Sequence, residues 1–318
     1  MPTLLVTRKM PRELAERVRA SVGGQGDRRA RRRSRLTALV RFALVVLLVA
    51  AVTQIVLVTR RARLELERVR ATLLERVRSE AATLEPEVRR VRARVEPWLM
   101  RFEGAYEGDR ISPELAHEGA LDRALGRPSL YVRGALSRLS ADAPESYPDA
   151  FVLCLVKPPG DRTEKSLRAM ARAAATSRGL EPARGFARYG DALVVLPLLE
   201  PGFRARVSAT GDLAALELLG QAFDHAPLAS ARRAARAEQL LIVVDEPGAG
   251  SAPSELDGER PHPVRVGLVD LTKNEVLLRL RRSVDPSWAS PAARAQHARG
   301  MDGCMLALDV RAAVRDAR

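Results

Sequence analysis

Lysine, histidine and cysteine are scarce in this chain. Against 49 arginines stand four lysines, four histidines and two cysteines, and the arginine bias points to a GC-rich genome. The histidines (His117, His225, His262, His297) lie at no metal-ligand spacing from one another, and His117-Glu118 lacks the second histidine of a zinc-protease helix, so no metal is expected. Gly-x-Ser-x-Gly, Gly-x-x-x-x-Gly-Lys and a strand-to-helix Gly-x-Gly-x-x-Gly are all missing, which removes the usual nucleophile elbow, phosphate loop and dinucleotide fingerprint. No cofactor is expected.

What is present begins with charge. The net charge of +14 suggests nucleic acid until it is located. Residues 1–63 hold 15 bases against Glu13, Glu16 and Asp27, a net of +12, and the rest of the chain carries 38 bases against 36 acids, a net of +2. A nucleic-acid domain would spread its basic residues over a folded face. Here they flank an apolar run, as a membrane-surface signal does, and no nucleic-acid partner is expected.

That run, Phe42 to Thr59, has 18 residues without a charge, about 27 Å of helix. It nearly matches a hydrocarbon core of ~30 Å, and Leu36 to Val40 adds a turn if Arg41 snorkels. Gln54 could bond a partner helix. A signal peptide fits less well, because QIVLVTRR offers no small-residue cleavage site. A buried soluble helix would not be apolar on every face between two arginine blocks. Membrane lipid is therefore the expected partner of Phe42–Thr59 and of the arginines beside it. Arginine counts on the two sides tie. Moving the net +9 tail outward would oppose the membrane potential at ~2.3 kcal/mol per charge per 100 mV, whereas long domains translocate largely regardless of charge. The reading is a single-pass inner-membrane protein with a cytoplasmic tail (1–35), a span (36–59) and a periplasmic remainder.

Residues 60–103 read as a helical stalk. Leu66, Val69, Leu73, Val77, Ala81, Leu84, Val88, Val91, Val95 and Leu99 recur at three and four residues, close to a heptad seam, with kinks or restarts expected at Pro86 and Pro97. Two readings compete. One is a coiled-coil-like stalk that self-associates through Leu66, Val69, Leu73, Val77, Leu84, Val88, Val91 and Val95, making the protein a homo-oligomer. The other is a lone helix packing on its own domain. The first is preferred, since a membrane-proximal helix has no evident core to bury it.

Residues 104–146 read as a helical connection, with a helix from Ser112 to Gly126, and 147–318 as a globular α/β or α+β domain with a mixed sheet. FVLCLVK (151–157) is expected to be a buried strand, 161–177 a helix stopped by Gly179, and 184–189 and 192–198 strands. Helices are expected at 213–225 and 229–238, and a strand at LLIVVDE. A Gly/Pro/Ser-rich loop spans 246–263. PVRVGLVDL, TKN and EVLLRLRR form an antiparallel hairpin at 263–282. Its register pairs Leu268 with Leu278, Val266 with Leu280, Val269 with Leu277, Gly267 with Arg279 and Arg265 with Arg281. SWASPAARAQHA and Asp302 to Ala317 are read as closing helices.

The hairpin gathers Arg265, Arg279 and Arg281 on one face, where like charges directly opposite are unfavourable. An acidic patch of the protein itself, a partner, a phosphate or a polysaccharide would compensate; a solvated face is the plainer reading. Asp245 and Glu246 end an apolar strand, where α/β sites sit, and are the candidate catalytic acids; acids there also serve as turn formers. Asp224-His225 reads as a capping pair. Cys154 and Cys304 could pair if the domain lies outside the cytoplasm. Both sit in apolar runs, so two buried free thiols are expected.

The plan of basic tail, single span, helical stalk and outer domain resembles bitopic assembly proteins of bacterial envelope machines, of the division, pilus-assembly and secretion types. It implies a structural protein that binds other envelope proteins. The alternative is a tethered enzyme, a hydrolase, working near Asp245.

Overall fold

The computed structural model describes residues 12–176, 183–248 and 261–318. It shows a mixed α/β protein with a long N-terminal helix, apolar in part, and a six-stranded mixed sheet. The tail before Arg12, the expected stop at Gly179 and most of the 246–263 run lie outside the described residues. The chain divides into two compact units between Arg68 and Val69, and helix α1 (Arg12–Glu103) contributes to both.

In the first unit, α1 carries one stretch long and apolar enough to cross a membrane. Its best window has a mean hydropathy of 2.7, with none of it buried. Phe42, Leu47, Ile55 and Val58 all stand exposed. Thr53 and Thr59 turn their hydroxyls back to donate to the Val49 and Ile55 carbonyls, at 2.7 and 2.9 Å. Both polar groups are thereby satisfied within the helix.

The second unit is built on the sheet, in the order β1-β6-β5-β4-β2-β3. At its centre β2 (Ser129–Ala135) and β4 (Gln239–Asp245) run parallel, with β3 (Phe186–Arg188) parallel to β2 at one edge. β5 (His262–Asp270) runs antiparallel to β4, β6 (Glu275–Val284) antiparallel to β5, and β1 (Arg110–Ile111) antiparallel to β6 at the other edge. Tyr131, Leu241, Val243, Val266 and Leu268 face one side. There they pack with α4 (Ala150–Val156) and α10 (Pro291–Asp316), and α5 (Glu164–Ala174) covers α10. Residues of the opposite parity, Gly134 and Gly267, lie against α3 (Leu139–Asp142) and against the end of α1. Helices α6 (Tyr189–Leu199), α7 (Pro201–Ala209), α8 (Leu213–Asp224) and α9 (Leu228–Ala235) complete the unit.

Several sequence expectations are corrected. The 104–146 stretch is no mere connection, because β2 lies within it and is central; the compact unit begins at Val69 rather than at residue 147. FVLCLVK is helix α4, started by Asp149, whose carboxylate accepts from the Phe151 and Val152 amides. A helix buried on all sides loses its amphipathic period and reads like a buried strand. The second expected strand, 192–198, falls within α6, whose exposed positions Val194 and Pro197 are apolar like its buried ones, so no polar face marks the helical period. Gly119, at φ 66°, splits the expected 112–126 helix into a short 3-10 turn and α2 (Ala120–Leu125). The two closing helices are a 3-10 turn and the single α10. Pro86 and Pro97 lie inside α1 and end nothing.

In the hairpin, Leu268–Leu278, Val266–Leu280, Gly267–Arg279 and Arg265–Arg281 are partners. Val269 faces Val276 instead of Leu277, because the register shifts between Leu268 and Val269. Asn274, at φ 57°, closes the turn, and Asp270 Oδ1 accepts from the Thr272 and Lys273 amides at 2.8 Å each.

Cys154 and Cys304 form a disulfide, not two thiols, with Cα atoms 5.1 Å apart. The apolar surroundings of both cysteines come from the packing of α4 on α10, and that packing also brings them within bonding reach.

Candidate functional site

The end of β4 is where the sheet turns polar. Because side chains alternate along a strand, the neighbours Asp245 and Glu246 leave it toward opposite faces. Each reaches a separate system of charges.

Asp245 points toward α4 and α10. Arg133, from β2, donates to both of its oxygens, Nε to Oδ2 at 3.0 Å and Nη2 to Oδ1 at 2.9 Å. The third nitrogen of the same guanidinium donates to Asp149 at 3.1 Å, and Tyr131 donates its phenolic hydrogen to that oxygen at 3.0 Å. His262 Nε2 sits 3.5 Å from Asp245 Oδ1. Burial alone would raise the Asp245 pKa, but the Arg133 charge and the His262 contact outweigh it and hold the carboxyl well below its usual range. Burial likewise works against the Arg133 charge, and its two carboxylates more than offset it, so the guanidinium stays firmly protonated. An aspartate held ionised in a fork of this kind is a poor proton acceptor.

Asp302 of α10 belongs to this cluster and was not foreseen from the sequence. It is 4% exposed, and neither carboxylate oxygen has a hydrogen-bond partner among the described residues. Burial pushes its pKa up to about 7, against the opposing pull of His262 and Arg133. In sequence Asp302 reads as one more acid on a charged helix; only the docking of α10 on the sheet makes it unusual.

Glu246 points to the other face, toward the end of α1. It pairs with Arg265 and, through Oε2, accepts from Arg281 Nε at 2.8 Å. Arg265 also donates to the carbonyl oxygens of Phe102, at 3.0 Å, and Gly104. These are orphan acceptors at a helix C-terminus, where a cation is favoured. Arg279 pairs with Glu107, as does Arg101 at 2.7 Å, and Arg282 pairs with Asp109 at 2.7 Å. The three hairpin arginines therefore sit together and are neutralised by acids of this same chain. Glu246 is one of those acids.

Of the seam residues, Leu73, Val77, Leu84, Val88, Val91 and Val95 are buried within the second unit. The chain supplies their cover, and they present no free face to a second copy. Four contacts tie α1 to the α7–α9 region: Arg70 donates to the Thr210 carbonyl at 2.6 Å, Arg76 pairs with Asp224, Glu80 with Arg232, and Arg89 with Glu200 at 2.9 Å. Asp224 is thus spent on Arg76, while His225 closes α8 through its backbone. Val69 is half-buried in this unit and Leu66 half-buried in the first.

A groove of about 380 Å³ lies between the start of α2 and the last turns of α10. Three of its arginines are balanced locally: Arg162 by Asp309, Arg311 by Asp122 and Arg315 by Asp316. Among the described residues no group of three His, Cys, Asp or Glu side chains could hold a metal ion. No protein-family model, curated protein or solved structure matches the chain.

Proposed function

We propose that this protein is a single-pass inner-membrane component of a bacterial envelope assembly, with its α/β unit in the periplasm serving as a binding module. The apolar stretch of α1 supports the anchor, and the arginines around it support attachment to lipid headgroups. The observation that carries the placement is the Cys154–Cys304 disulfide, since such bonds persist in oxidising compartments. A binding role, rather than a hydrolytic one, is supported by how the acids are used. Asp245 and Glu246, the acids best placed for chemistry, are both committed to internal ion pairs. Self-association through Leu73–Val95 is no part of this reading, because that face is covered.

The test is topological. Ser208 is exposed on α7, and a Ser208→Cys chain should react with an impermeant maleimide in cells opened only at the outer membrane. The native cysteines should react only after reduction and unfolding. Reaction of Ser208→Cys confined to lysed cells would place the unit in the cytosol and overturn the proposal.

A further inference from the structure

We propose that Asp302 is an interior proton-binding site whose occupancy sets how firmly helix α10 is held on the sheet. The middle of α10 is buried, Met301 through Cys304 without a break. A Cβ on Gly300 would meet Ala171 of α5, and one on Gly303 would meet Phe151 of α4. A helix held this closely has little room to shift and relieve a misplaced charge.

The charges facing Asp302 come from every layer around it. β2 brings Arg133, β5 His262 and the residue after β6 Asp285, while Asp245 of β4 and Asp149 at the start of α4 bear on the site through Arg133 and His262, which they hold. From α5, Arg172 is turned to His297 and Glu164 to Ser290. The Arg133 guanidinium already serves Asp149 and Asp245. A further carboxylate would add negative charge to a buried group that is not short of it, with both oxygens unbonded among the described residues. Taking up a proton is the low-cost remedy, because a neutral acid avoids the burial penalty of the ion.

The sign follows from the raised pKa. Asp302 contributes full stability below the ordinary carboxylate range, and that contribution drains away as the pH climbs through about 7. Mildly acid surroundings fix α10 in place, and alkaline surroundings loosen it.

The experiment uses the full chain in lipid nanodiscs, with thermal midpoints and backbone hydrogen exchange of α10, corrected for intrinsic exchange, at pH 6 and pH 8.5. The native chain should lose midpoint and α10 protection at the higher pH. Asp302→Asn should be flat across the range and exceed the native chain at pH 8.5 by about 3 °C or more. Asp302→Leu provides a second neutral side chain should the amide fold poorly. His262→Gln should keep the pH dependence and move it upward, since His262 holds the Asp302 pKa down. An infrared carboxylic-acid band present at pH 6 and missing from Asp302→Asn would assign the proton directly. If the dependence persists in both Asp302 variants, or disappears only in His262→Gln, Asp302 is not the site.

Discussion

The ring of Phe102, one residue before the end of α1, fills the space where Gly267 would carry a side chain. A Cβ built on Gly267 would fall 2.1 Å from the ring's far carbon. A bare backbone in the middle of β5 thus lets the helix end lie flat on the sheet. Gly267→Ala should lower unfolding stability by about 1–3 kcal/mol through forced repacking. Restoration by Phe102→Leu in the same chain would show that the clash is the cause; denaturant titration of both chains decides it.

Removing the Glu246 charge leaves Arg265 without its carboxylate on the inner face of the sheet. Glu246→Gln should cost about 3–5 kcal/mol, the usual loss when one partner of a buried pair is deleted. Glu107→Gln should cost much less, since Arg279 keeps the Gly108 carbonyl at 2.9 Å. Equal losses in the two variants would contradict the assigned pairing.

The seam of α1 gives a prediction about size as much as stability. Val88→Asp puts a charge into the unit's interior and should cost about 3 kcal/mol or more. Its loss should appear in the melting curve and not as a change of oligomeric mass at native temperatures. A variant that stays folded but halves its mass would return Val88 to an intermolecular interface.

The disulfide joins α4 to α10 across 150 residues of chain. Replacing Cys154 and Cys304 with alanine should cost about 2–5 kcal/mol. Two reactive thiols in the unreduced, unfolded native chain would show that the bond does not form.

Asp245 titrates on the acid side. Its pKa is lowered from the ordinary 3.8, so its ion pair contributes fully above that value and is lost as the pH falls through the folded-state pKa. Asp245→Asn should therefore weaken the protein at neutral pH and flatten the acid limb of its stability curve below about pH 4. A variant whose acid limb matches the native one would remove Asp245 from the account.

How much of this was legible in the sequence depends on what each pattern reports. The apolar stretch, β4 and most of the β5–β6 register could be read, because each is a local pattern of hydrophobic and turn residues. Helices α5, α8 and α9 could be read from their composition. α4 and α6 could not: α4 is buried almost throughout, and α6 keeps apolar Val194 and Pro197 even where it is exposed, so neither shows the period that separates helix from strand. β2 was missed because SLYVRGA is short and carries Arg133 in its middle, a charge whose partners, Asp149 and Asp245, lie 16 and 112 residues away. The α1 seam was visible as a stripe, but a stripe does not say what covers it. The hairpin arginines were legible as a cluster in want of an anion, yet Glu246, read as a separate acid, is the anion of Arg265 and Arg281, and Glu107 that of Arg279.

The divergence of Asp245 and Glu246 also fixes the alignment of β4. Slipping that strand by one residue against its neighbours would trade the two acids between faces. Asp245, the shorter side chain, would then point toward Arg265 and the end of α1, and Glu246 would be driven into the fork of Arg133. An apolar run such as QLLIVV, buried on both sides, offers little to distinguish one alignment from the next. The two acids at its end supply that distinction, so β4 is held in place by charge at a position where its hydrophobic pattern alone would let it slide.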